Sequence, residues 1–384
     1  MVNAVRVTDK SCIKPLKDRL EREGVLHKRL KIAQDDGGTG FLIPLNSSAE
    51  IPADITDQFE LVKIADDVPL EEQKKLPISK WSLYPPMALL PYNCPDITTK
   101  QAEMVAKTLN VSHIARNSPI SDQNDIVRKP HIVPIYGDFG PEPTPESVEH
   151  PSKDDFEHAF WASSVQNGIR QCWAPRYTMF SRGNIHEKTR VLNSFASQAT
   201  IKDHVVVDMY AGIGYFALAY AAQGPHRVFC WEINPWSVHG LVKGAQLNNW
   251  PVRVIQHDEE YIENENDFII VFLEDNKNAP RRLNELSKPI THINLGLLPH
   301  SKLAWQDSLS MASKNTSSPC IIHIHENVAQ EDLPTYPQQT LITLQSLNPN
   351  LQISFLHLEK IKTFAPAVWH ICADYKISQP ATTG

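Results

Sequence analysis

The fold of this 384-residue chain is decided by the stretch VVVDMYAGIGYFALAYAAQG, residues 205–224. Its β-branched start predicts a strand that ends at Asp208. Gly212 and Gly214 follow, and then a helix with Gly224 as its C-terminal cap. Glycines at these two positions allow a tight turn and let a ligand approach the helix start without a Cβ in the way. The G-x-G-x-x-A spacing is weak by itself, and an ordinary tight turn is the alternative.

Composition gives the two glycines more weight and limits the class of protein. The chain has 15 Gly against 29 Pro, so a glycine cluster needs a reason. Its 37 Lys and Arg against 44 Asp and Glu give a net charge of −7, which excludes a wholly basic nucleic-acid binder but permits a local basic patch. Six scattered cysteines, no signal-peptide pattern and no long apolar run predict a soluble cytoplasmic protein without a membrane segment.

Strand-like runs recur on both sides of the glycine turn, separated by helix-length segments. They predict a mostly parallel sheet within an α/β fold. The last two runs are too close for a helical crossover and predict an antiparallel hairpin at the end of the sheet. The runs lie at 204–209, 226–232, 252–258, 291–296, 319–326, 351–358 and 367–375.

The chain is expected to have two folded parts. Residues 1–139 form an N-terminal region; its basic first 31 residues predict a helix and a strand, and GFLIPL at 40–45 predicts a second short strand of the same small α/β module. The acidic, proline-rich run GPEPTPESVEHPSKDD, residues 140–155, is the predicted linker. Residues 156–384 then carry the sheet and the predicted site.

Acidic residues end three successive predicted strands: Asp208, Glu232 and Asp258. Glu232 stands 20 residues after Gly212, the spacing at which a carboxylate accepts hydrogen bonds from ribose hydroxyls. Asp258 is expected near an adenine. Because the carboxyl ends of parallel strands face one crevice, the three acids predict a single nucleoside-binding site.

Two ligands compete for this site, a dinucleotide and S-adenosylmethionine. A dinucleotide would bring a pyrophosphate to the glycine turn, where Asp208 repels it. S-adenosylmethionine has no phosphate and carries an ammonium and a sulfonium, which an acid attracts. The pattern D-x-Y-x-G-x-G from Asp208 to Gly214 and the antiparallel end strand favour S-adenosylmethionine over a nicotinamide cofactor.

Several motifs together resemble the tRNA wybutosine-synthesising protein 2 family. They are NGIRQCWAPRYTMFSRGNIHEKTRV (167–191), the glycine turn, E-I-N-P (232–235) and N-L-G-L-L-P (294–299). The resemblance covers residues 160–300 well. The N-terminal module also looks like the small domain that this family shares with the tRNA guanine-37 N1-methyltransferases.

The resemblance implies a class I methyltransferase-like Rossmann sheet and a smaller N-terminal α/β region related to tRNA recognition. It implies transfer of the 3-amino-3-carboxypropyl group of S-adenosylmethionine to carbon 7 of 4-demethylwyosine. That base is position 37, in the anticodon loop of phenylalanine tRNA. Ser181 and Lys188 match residues that help to hold the cofactor in the family. The methyltransferases usually read N-L-P where this chain reads N-L-G-L-L-P.

The segment after the predicted third strand departs from the family pattern. Members often have D-N-R there, with the Asp–Asn pair against adenine, whereas this chain reads Asp258-Glu259-Glu260. Asp258 is expected to keep its role and Glu259 to contribute through its backbone amide. The following acidic run, residues 261–283, is interpreted as an insertion that faces away from RNA.

The residues that carry the chemistry are less well determined. No general base is identified, and the candidates near the reacting base are Tyr210, Asn294, Leu295 and Gly296. Candidate base-stacking aromatics, for which core packing is the alternative, are Trp173, Tyr177, Phe180, Tyr210 and Tyr215. Candidate RNA-binding cations, for which a solvated face is the alternative, are Arg170, Arg176, Arg182 and Arg190.

Three further expectations complete the sequence analysis. His323 and His325 share one face of a strand, but no third ligand has a recognisable spacing, so no metal is expected. A tRNA guanine-37 N1-methyltransferase is the first alternative function. A non-catalytic tRNA-binding protein with a vestigial pocket is the second, and only the altered segment at Asp258 supports it.

Overall fold

A computed structural model describes residues 2–380 apart from 28–29, 31, 36–38, 47–48, 65–75, 119–131, 196–200 and 315–317. Its chain divides into two compact units, Met1–Leu76 and Pro77–Gly384. Part of the basic N-terminal run, at 28–29 and 31, therefore lies outside the described residues. Among those described, none of the helices combines the length and the apolar character that crossing a bilayer requires.

The first unit is a small α/β module, as its sequence predicts. Its four strands form an antiparallel sheet in the order β2-β3-β1-β4, and Leu16 and Leu20 of α1 are buried in its core. The elements are β1 (Val2–Val7), α1 (Lys10–Arg22), β2 (Ala33–Gln34), β3 (Phe41–Pro44), α2 (Ala53–Gln58) and β4 (Glu60–Ile64).

The second unit begins with a four-stranded sheet, a pair of short helices and a β-hairpin. The sheet has the order β5-β6-β7-β8, and the hairpin joins β9 to β10. The elements are β5 (Ser82–Tyr84), β6 (Met87–Leu90), α3 (Thr99–Leu109), β7 (His113–Asn117), β8 (Ile132–Tyr136), α4 (Pro145–Glu149), α5 (Lys153–His158), β9 (Ala162–Gln166) and β10 (Ile169–Trp173).

The main sheet of the second unit has eight strands in the order β13-β14-β12-β11-β15-β16-β18-β17. Its elements are α6 (Ile185–Phe195), β11 (Val205–Asp208), α7 (Ala217–Ala221), β12 (Arg227–Glu232), α8 (Pro235–Leu247), β13 (Val252–Gln256), β14 (Ile269–Leu273), α9 (Ala279–Arg282), β15 (Ile290–Leu295), α10 (Trp305–Ser313), β16 (Cys320–Ala329), α11 (Tyr336–Leu347), β17 (Gln352–Ala365) and β18 (Val368–Ser378).

The directions of these strands confirm the predicted α/β class. Strands β11 to β16 pair in parallel, and β18 is antiparallel to both of its neighbours, β16 and β17. The predicted hairpin at the end of the sheet is therefore present. The order is that of a doubly wound sheet, in which ligands bind outside the carboxyl ends of the central strands.

One prediction about this sheet is wrong. No strand was predicted in the segment 261–283, whereas Ile269–Leu273 forms the buried strand β14. This strand pairs with β12 on one side and with β13 on the other. The neighbour of the strand that ends at Glu232 is thus β14, and Asp258 follows an edge strand one position further out.

The predicted linker, residues 140–155, lies inside the second unit rather than between the two. It includes α4 and the start of α5, and Val148 of α4 is buried. The indole of Trp236 donates to the backbone oxygen of Ser147 at 2.8 Å. Pro145 begins α4, and Thr144 caps its start in a capping box. Ser152 forms a second capping box at the start of α5, with the acidic Asp155 as its partner.

The hairpin before α6 is held against the main sheet by glycines of α8. A Cβ on Gly240 would lie 2.8 Å from the backbone oxygen of Cys172, so only glycine permits this approach. The segment that follows the hairpin, with Phe180, Ser181 and Lys188, is thereby brought to the glycine turn between β11 and α7, as the contacts below show.

Candidate nucleoside-binding site

The turn between β11 and α7 requires glycine at both predicted positions. Gly212 and Gly214 have φ values of +55° and +86°, in the left-handed region. A Cβ on Gly214 would also lie 2.7 Å from Cγ of Leu218. One on Gly212 would meet the ring of Tyr215 at 2.9 Å. Glycine is thus required at both positions by the backbone conformation and by the close approach of Leu218 and Tyr215.

Glu232 ends the neighbouring strand β12 and is tied to the same turn. Its Oε2 accepts from the amide of Gly212 and its Oε1 from the amide of Asn234, each at 2.8 Å. Burial raises the pKa of this carboxyl. A carboxylate offers about four lone pairs, so each oxygen can still accept one more hydrogen bond. That free capacity matches the two hydroxyls of a ribose.

Asp208, at the end of β11, is fully buried and only partly satisfied. Its Oδ1 accepts from Nδ2 of Asn294 at 3.0 Å and from the amide of Tyr210 at 3.3 Å. Its Oδ2 is buried without a partner among the described residues. Burial raises the pKa of this carboxyl to about 6. A buried acceptor left in this state favours a cationic ligand.

Lys188, on α6, is a buried cation whose hydrogen-bonding capacity is also only partly used. Its buried Nζ donates to Oε1 of Gln166 at 2.7 Å and to Oε1 of Gln171 at 2.6 Å. It forms no ion pair within the described chain, and burial lowers its pKa to about 7. Since Gln171 also donates to the backbone oxygen of Gly214 at 3.2 Å, this ammonium is linked to the glycine turn. An ammonium has three donors, so one remains for an anion.

Ser181 precedes α6 on the same segment. Its hydroxyl accepts a hydrogen bond from Nζ of Lys362 at 2.9 Å. The adjacent ring of Phe180 faces Lys188, with 5.4 Å from Nζ to the ring centroid. The two residues that match the family's cofactor contacts, Ser181 and Lys188, therefore flank one aromatic side chain.

The residues expected at adenine, Asp258 and Glu259, do not follow the strand beside β12. Asp258 and Glu259 are exposed and follow the edge strand β13. The strand beside β12 is β14, and the residues after it read Glu274-Asp275-Asn276. Nδ2 of Asn276 donates to the backbone oxygen of Met209 at 2.8 Å, next to the glycine turn.

Asp275 and Asn276 therefore follow the strand beside β12, the place in the sheet at which Asp258 and Glu259 were expected. With Lys277 they read D-N-K, close to the family's D-N-R, so the chain follows the pattern after all. Glu274 serves the fold instead, because it is buried and pairs with Arg282 at 2.8 Å. The missed signal was the apolar run IIVFL at 269–273, which is typical of a buried parallel strand.

The four candidates near the reacting base have different surroundings. Asn294 is buried and donates to Asp208, and Leu295 is fully buried in the core. A Cβ on Gly296 would lie 3.2 Å from Nδ2 of Asn294, so a small residue fits this end of β15. Tyr210 is half-buried against the core, and burial raises its pKa.

The candidate aromatics divide into core and rim. Tyr177 is buried and stacks on Trp236 with centroids 3.5 Å apart, so it packs in the core. Trp173 is buried and stacks on the half-buried Phe180 at 4.3 Å. The hydroxyl of Tyr215 donates to the backbone oxygen of Met179. Trp173 and Phe180 line a cavity of about 300 Å³ with Trp81, Tyr84 and Met87.

The four arginines also differ in their availability. Arg170 and Arg182 are exposed, and the guanidinium of Arg182 lies 5.7 Å from the ring of Tyr84. Arg176 donates to the backbone oxygens of Gly140 and Pro141 and to the Glu142 carboxylate. The structure therefore leaves the first two open to a phosphate and gives the third contacts within its own unit.

Arg190 belongs to a buried ionic network. It donates to both oxygens of Glu187 at 2.6 and 2.9 Å and to Asp374 at 2.6 Å. The pKa of Asp374 lies below its usual value because His323 and Arg190 stabilise the charged form. Arg190 therefore links α6 to β18, and its hydrogen-bonding capacity is used inside the fold.

The predicted histidine pair lies in the same network. Nδ1 of His323 is 2.7 Å from Oδ1 of Asp374, and Nδ1 of His325 is 3.0 Å from Nε2 of His370. Within the described residues, two buried groups have ligand atoms close enough for a metal ion. They are Glu187, His325 and Cys372, and His323, Cys372 and Asp374. Arg190 already supplies positive charge to both carboxylates, which disfavours a metal cation there.

The strand order and the glycine turn define the class: a Rossmann-type fold of the class I methyltransferase kind. The family model described as "TRM5/TYW2 methyltransferase domain" matches residues 163–291. The tRNA wybutosine-synthesizing protein 2 of Schizosaccharomyces pombe is 40% identical over 79% of this chain and 73% of that protein. The chain belongs to the tRNA wybutosine-synthesizing protein 2 family.

Other comparisons agree with this assignment. The Saccharomyces cerevisiae protein of the same name is 34% identical over 75% of this chain, which spans 65% of its length. A Pyrococcus horikoshii protein named tRNA(Phe) (4-demethylwyosine(37)-C(7)) aminocarboxypropyltransferase is 25% identical over 82% of this chain and 94% of its own. The crystal structure of P. horikoshii TYW2 in complex with MeSAdo has a TM-score of 0.56, with 23% identity over 81% of this chain and 95% of that one. At this identity the structural likeness concerns the fold.

Proposed function

We propose that this protein is a tRNA aminocarboxypropyltransferase. It transfers the 3-amino-3-carboxypropyl group of S-adenosylmethionine to carbon 7 of 4-demethylwyosine at position 37 of phenylalanine tRNA. The observation that carries the proposal is a pair of unpaired buried charges beside the glycine turn. Asp208 lacks a cation and Lys188 lacks an anion. The transferred group bears one ammonium and one carboxylate.

Each part of the donor has a matching residue. Glu232 accepts from the ribose hydroxyls, and Asp275 and Asn276 contact adenine. Asp208 attracts the positive charges of the methionine moiety, and Lys188 and Ser181 bind its carboxylate. These assignments use hydrogen-bonding capacity that the fold leaves open at Glu232, Asp208 and Lys188.

The reaction forms one bond and breaks another. Carbon 7 of the base attacks the γ-carbon of the methionine moiety, the γ-carbon–sulfur bond breaks, and its electron pair leaves with methylthioadenosine. Carbon 7 then loses its proton to an acceptor that we do not assign. The sulfonium activates all three carbons bound to it, and the one held in line with the nucleophile at about 3–3.5 Å reacts.

The tRNA is recognised at the anticodon loop. A single-stranded base is splayed out and stacked on an aromatic side chain. Phe180, Tyr210 and Tyr215 are the rim aromatics for this role, and Arg170 and Arg182 are the exposed cations for phosphates. Arg176 and Arg190 are left out of the proposal because of their contacts within the fold. The six cysteines are free thiols, which suits a cytoplasmic protein.

The test uses S-adenosylmethionine labelled either on the carboxyl carbon or on the methyl group. With phenylalanine tRNA that carries 4-demethylwyosine, carboxyl label should enter the tRNA and methyl label should not. Methylthioadenosine should appear as the by-product in equal amount. Methyl label in the tRNA, with S-adenosylhomocysteine, would instead identify a guanine-37 methyltransferase.

Binding of the donor alone distinguishes an enzyme from a protein with a vestigial pocket. The altered segment at Asp258 was the feature that supported such a pocket. Asp275 and Asn276 remove that support, because the D-N pattern follows β14. Calorimetry with S-adenosylmethionine should show one site per chain, and no measurable binding would contradict the proposal.

A further inference from the structure

A second lysine reaches the site from the far end of the sequence. Lys362 lies on β17, and its Nζ donates to the hydroxyl of Ser181 at 2.9 Å across 181 residues of sequence. The side chain is half-buried, and burial lowers its pKa. In the described part of the chain it forms no ion pair. Its ammonium keeps two donors after the bond to Ser181.

The fold makes room for this side chain. A Cβ on Gly183 would lie 2.7 Å from Cδ and 3.1 Å from Nζ of Lys362, so a larger residue would obstruct the path to Ser181. The pairing of β17 with β18 also shifts register between Lys360 and Lys362 and between Thr363 and Ala365. Such irregularities re-aim side chains on a strand. The direction of Lys362 thus depends on features of two distant segments.

The charges around Ser181 lack a counter-ion. Lys188 and Lys362 contact neighbouring residues, Phe180 and Ser181, and neither pairs with a carboxylate among the described residues. Taking an ammonium out of water without an anion is costly. One ammonium on the Ser181 hydroxyl and a second against the adjacent ring of Phe180 therefore indicate a site for a small oxyanion.

We propose that Lys362 binds the carboxylate of the methionine moiety of S-adenosylmethionine, together with Lys188 and Ser181. The inference rests on the proposed function and adds a residue to its donor site. The carboxylate belongs to the group that is transferred. Holding it from two sides fixes the chain that carries the γ-carbon, and orientation of that carbon decides which bond breaks.

The test pairs one variant with one altered ligand. Lys362→Met keeps an unbranched side chain beside Gly183 and removes the ammonium. Decarboxylated S-adenosylmethionine keeps the ammonium and the sulfonium and lacks the carboxylate. Calorimetry should show that Lys362→Met lowers the affinity for S-adenosylmethionine roughly tenfold or more and the affinity for decarboxylated S-adenosylmethionine by less than about twofold. The effects of removing the ammonium and of removing the carboxylate are non-additive only if these two groups contact each other.

Lys360→Met is the matched control, because Lys360 is exposed on the same strand and lies over Trp369. It should bind both ligands like the unmodified chain. Thermal unfolding of each variant checks the fold, and Lys362→Gln repeats the measurement with a polar side chain if Lys362→Met is unstable.

Two results would overturn the inference. An equal loss of affinity for both ligands would mean that Lys362 supports the site without contacting the carboxylate. Unchanged affinity for both, with a weaker tRNA complex, would assign Lys362 to an RNA phosphate. Failure of the proposed function itself would look different, because the unmodified chain would then either bind neither ligand or transfer methyl label to the tRNA.

Discussion

The position of the adenine contact can be tested with two matched aspartates. Asp258 and Asp275 are both exposed and both follow a strand, but only the strand before Asp275 lies beside β12. Asp275→Ser should weaken S-adenosylmethionine binding, and Asp258→Ser should not. Serine is chosen because Oδ1 of Asp275 caps the next turn by accepting from the amide of Lys277 at 2.9 Å. A serine hydroxyl can keep that cap but does not reach as far.

The size of the effect follows from one hydrogen bond to a charged acceptor. Such a bond contributes about 1.5–3 kcal/mol, and about 1.4 kcal/mol corresponds to a tenfold change in affinity. Asp275→Ser should therefore raise the dissociation constant roughly tenfold to a hundredfold. Asp258→Ser should change it by less than about twofold, since no described hydrogen bond or ion pair involves the side chain of Asp258.

Calorimetric titration measures both affinities, and thermal unfolding confirms that both variants fold. The reasoning fails if Asp258→Ser weakens binding as much as Asp275→Ser. It also fails if Asp275→Ser binds like the unmodified chain. Either result would mean that β14 does not supply the adenine contact, in spite of its place beside β12.

Three further predictions concern charge. Affinity for S-adenosylmethionine should be highest between about pH 6 and pH 7, because both charged forms coexist there: the Asp208 carboxyl, with its pKa of about 6, is ionised above about pH 6, and the Lys188 ammonium, with its pKa of about 7, is charged below about pH 7. Asp208→Asn should remove the acid limb of a calorimetric pH series, and a flat series for the unmodified chain would contradict this. Arg190→Ala should lower the free energy of unfolding in urea by about 3–5 kcal/mol, since it leaves the buried Glu187 carboxylate without its cation and Asp374 with only His323, whereas Arg182→Ala should change it by less than about 0.5 kcal/mol. Glu232→Ala should weaken donor binding about a hundredfold or more through two lost hydrogen bonds, and unchanged calorimetric affinity would refute the ribose assignment.

Much of the fold could be predicted because its signals are local. The strands that end at Asp208 and Glu232 are short runs rich in β-branched and aromatic residues, and the glycines between them have the positive φ that the turn requires. The closing hairpin followed from a connection too short for a helix. Each of these features is contained within a few consecutive residues.

The place of β14 beside β12, on which the proposed adenine contact depends, could not be predicted because strand order is a long-range property. Chain order placed the strand before Asp258 next to Glu232, but β14 intervenes between the two strands. The flanking acids made the run IIVFL look like part of an exposed segment. A parallel strand buried on both faces is recognised by its continuous apolar run, even when charged residues surround it.

The role of Arg190 depended on the same kind of long-range information. In sequence it is one of several basic residues near Lys188. In the structure its partner Asp374 lies 184 residues away in sequence. Asp374 is on β18, whose place in the sheet is set by its pairing with β16. Local charge counts therefore overestimated the basic surface available to RNA.

The separation of charges in the site bears on which carbon of the donor reacts. Asp208 stands at the end of a central strand, and Lys188 lies on α6 against the hairpin. Methyl transfer needs only the methyl group in line with the nucleophile, and the rest of the methionine moiety can lie where it fits. Transfer of the aminocarboxypropyl group needs the γ-carbon in line, and this carbon lies between the sulfonium and the two charged ends. A site that binds the ammonium through Asp208 and the carboxylate through Lys188 restricts the orientation of that segment, so loss of Lys188 should reduce the rate of transfer more than it reduces the affinity for methylthioadenosine.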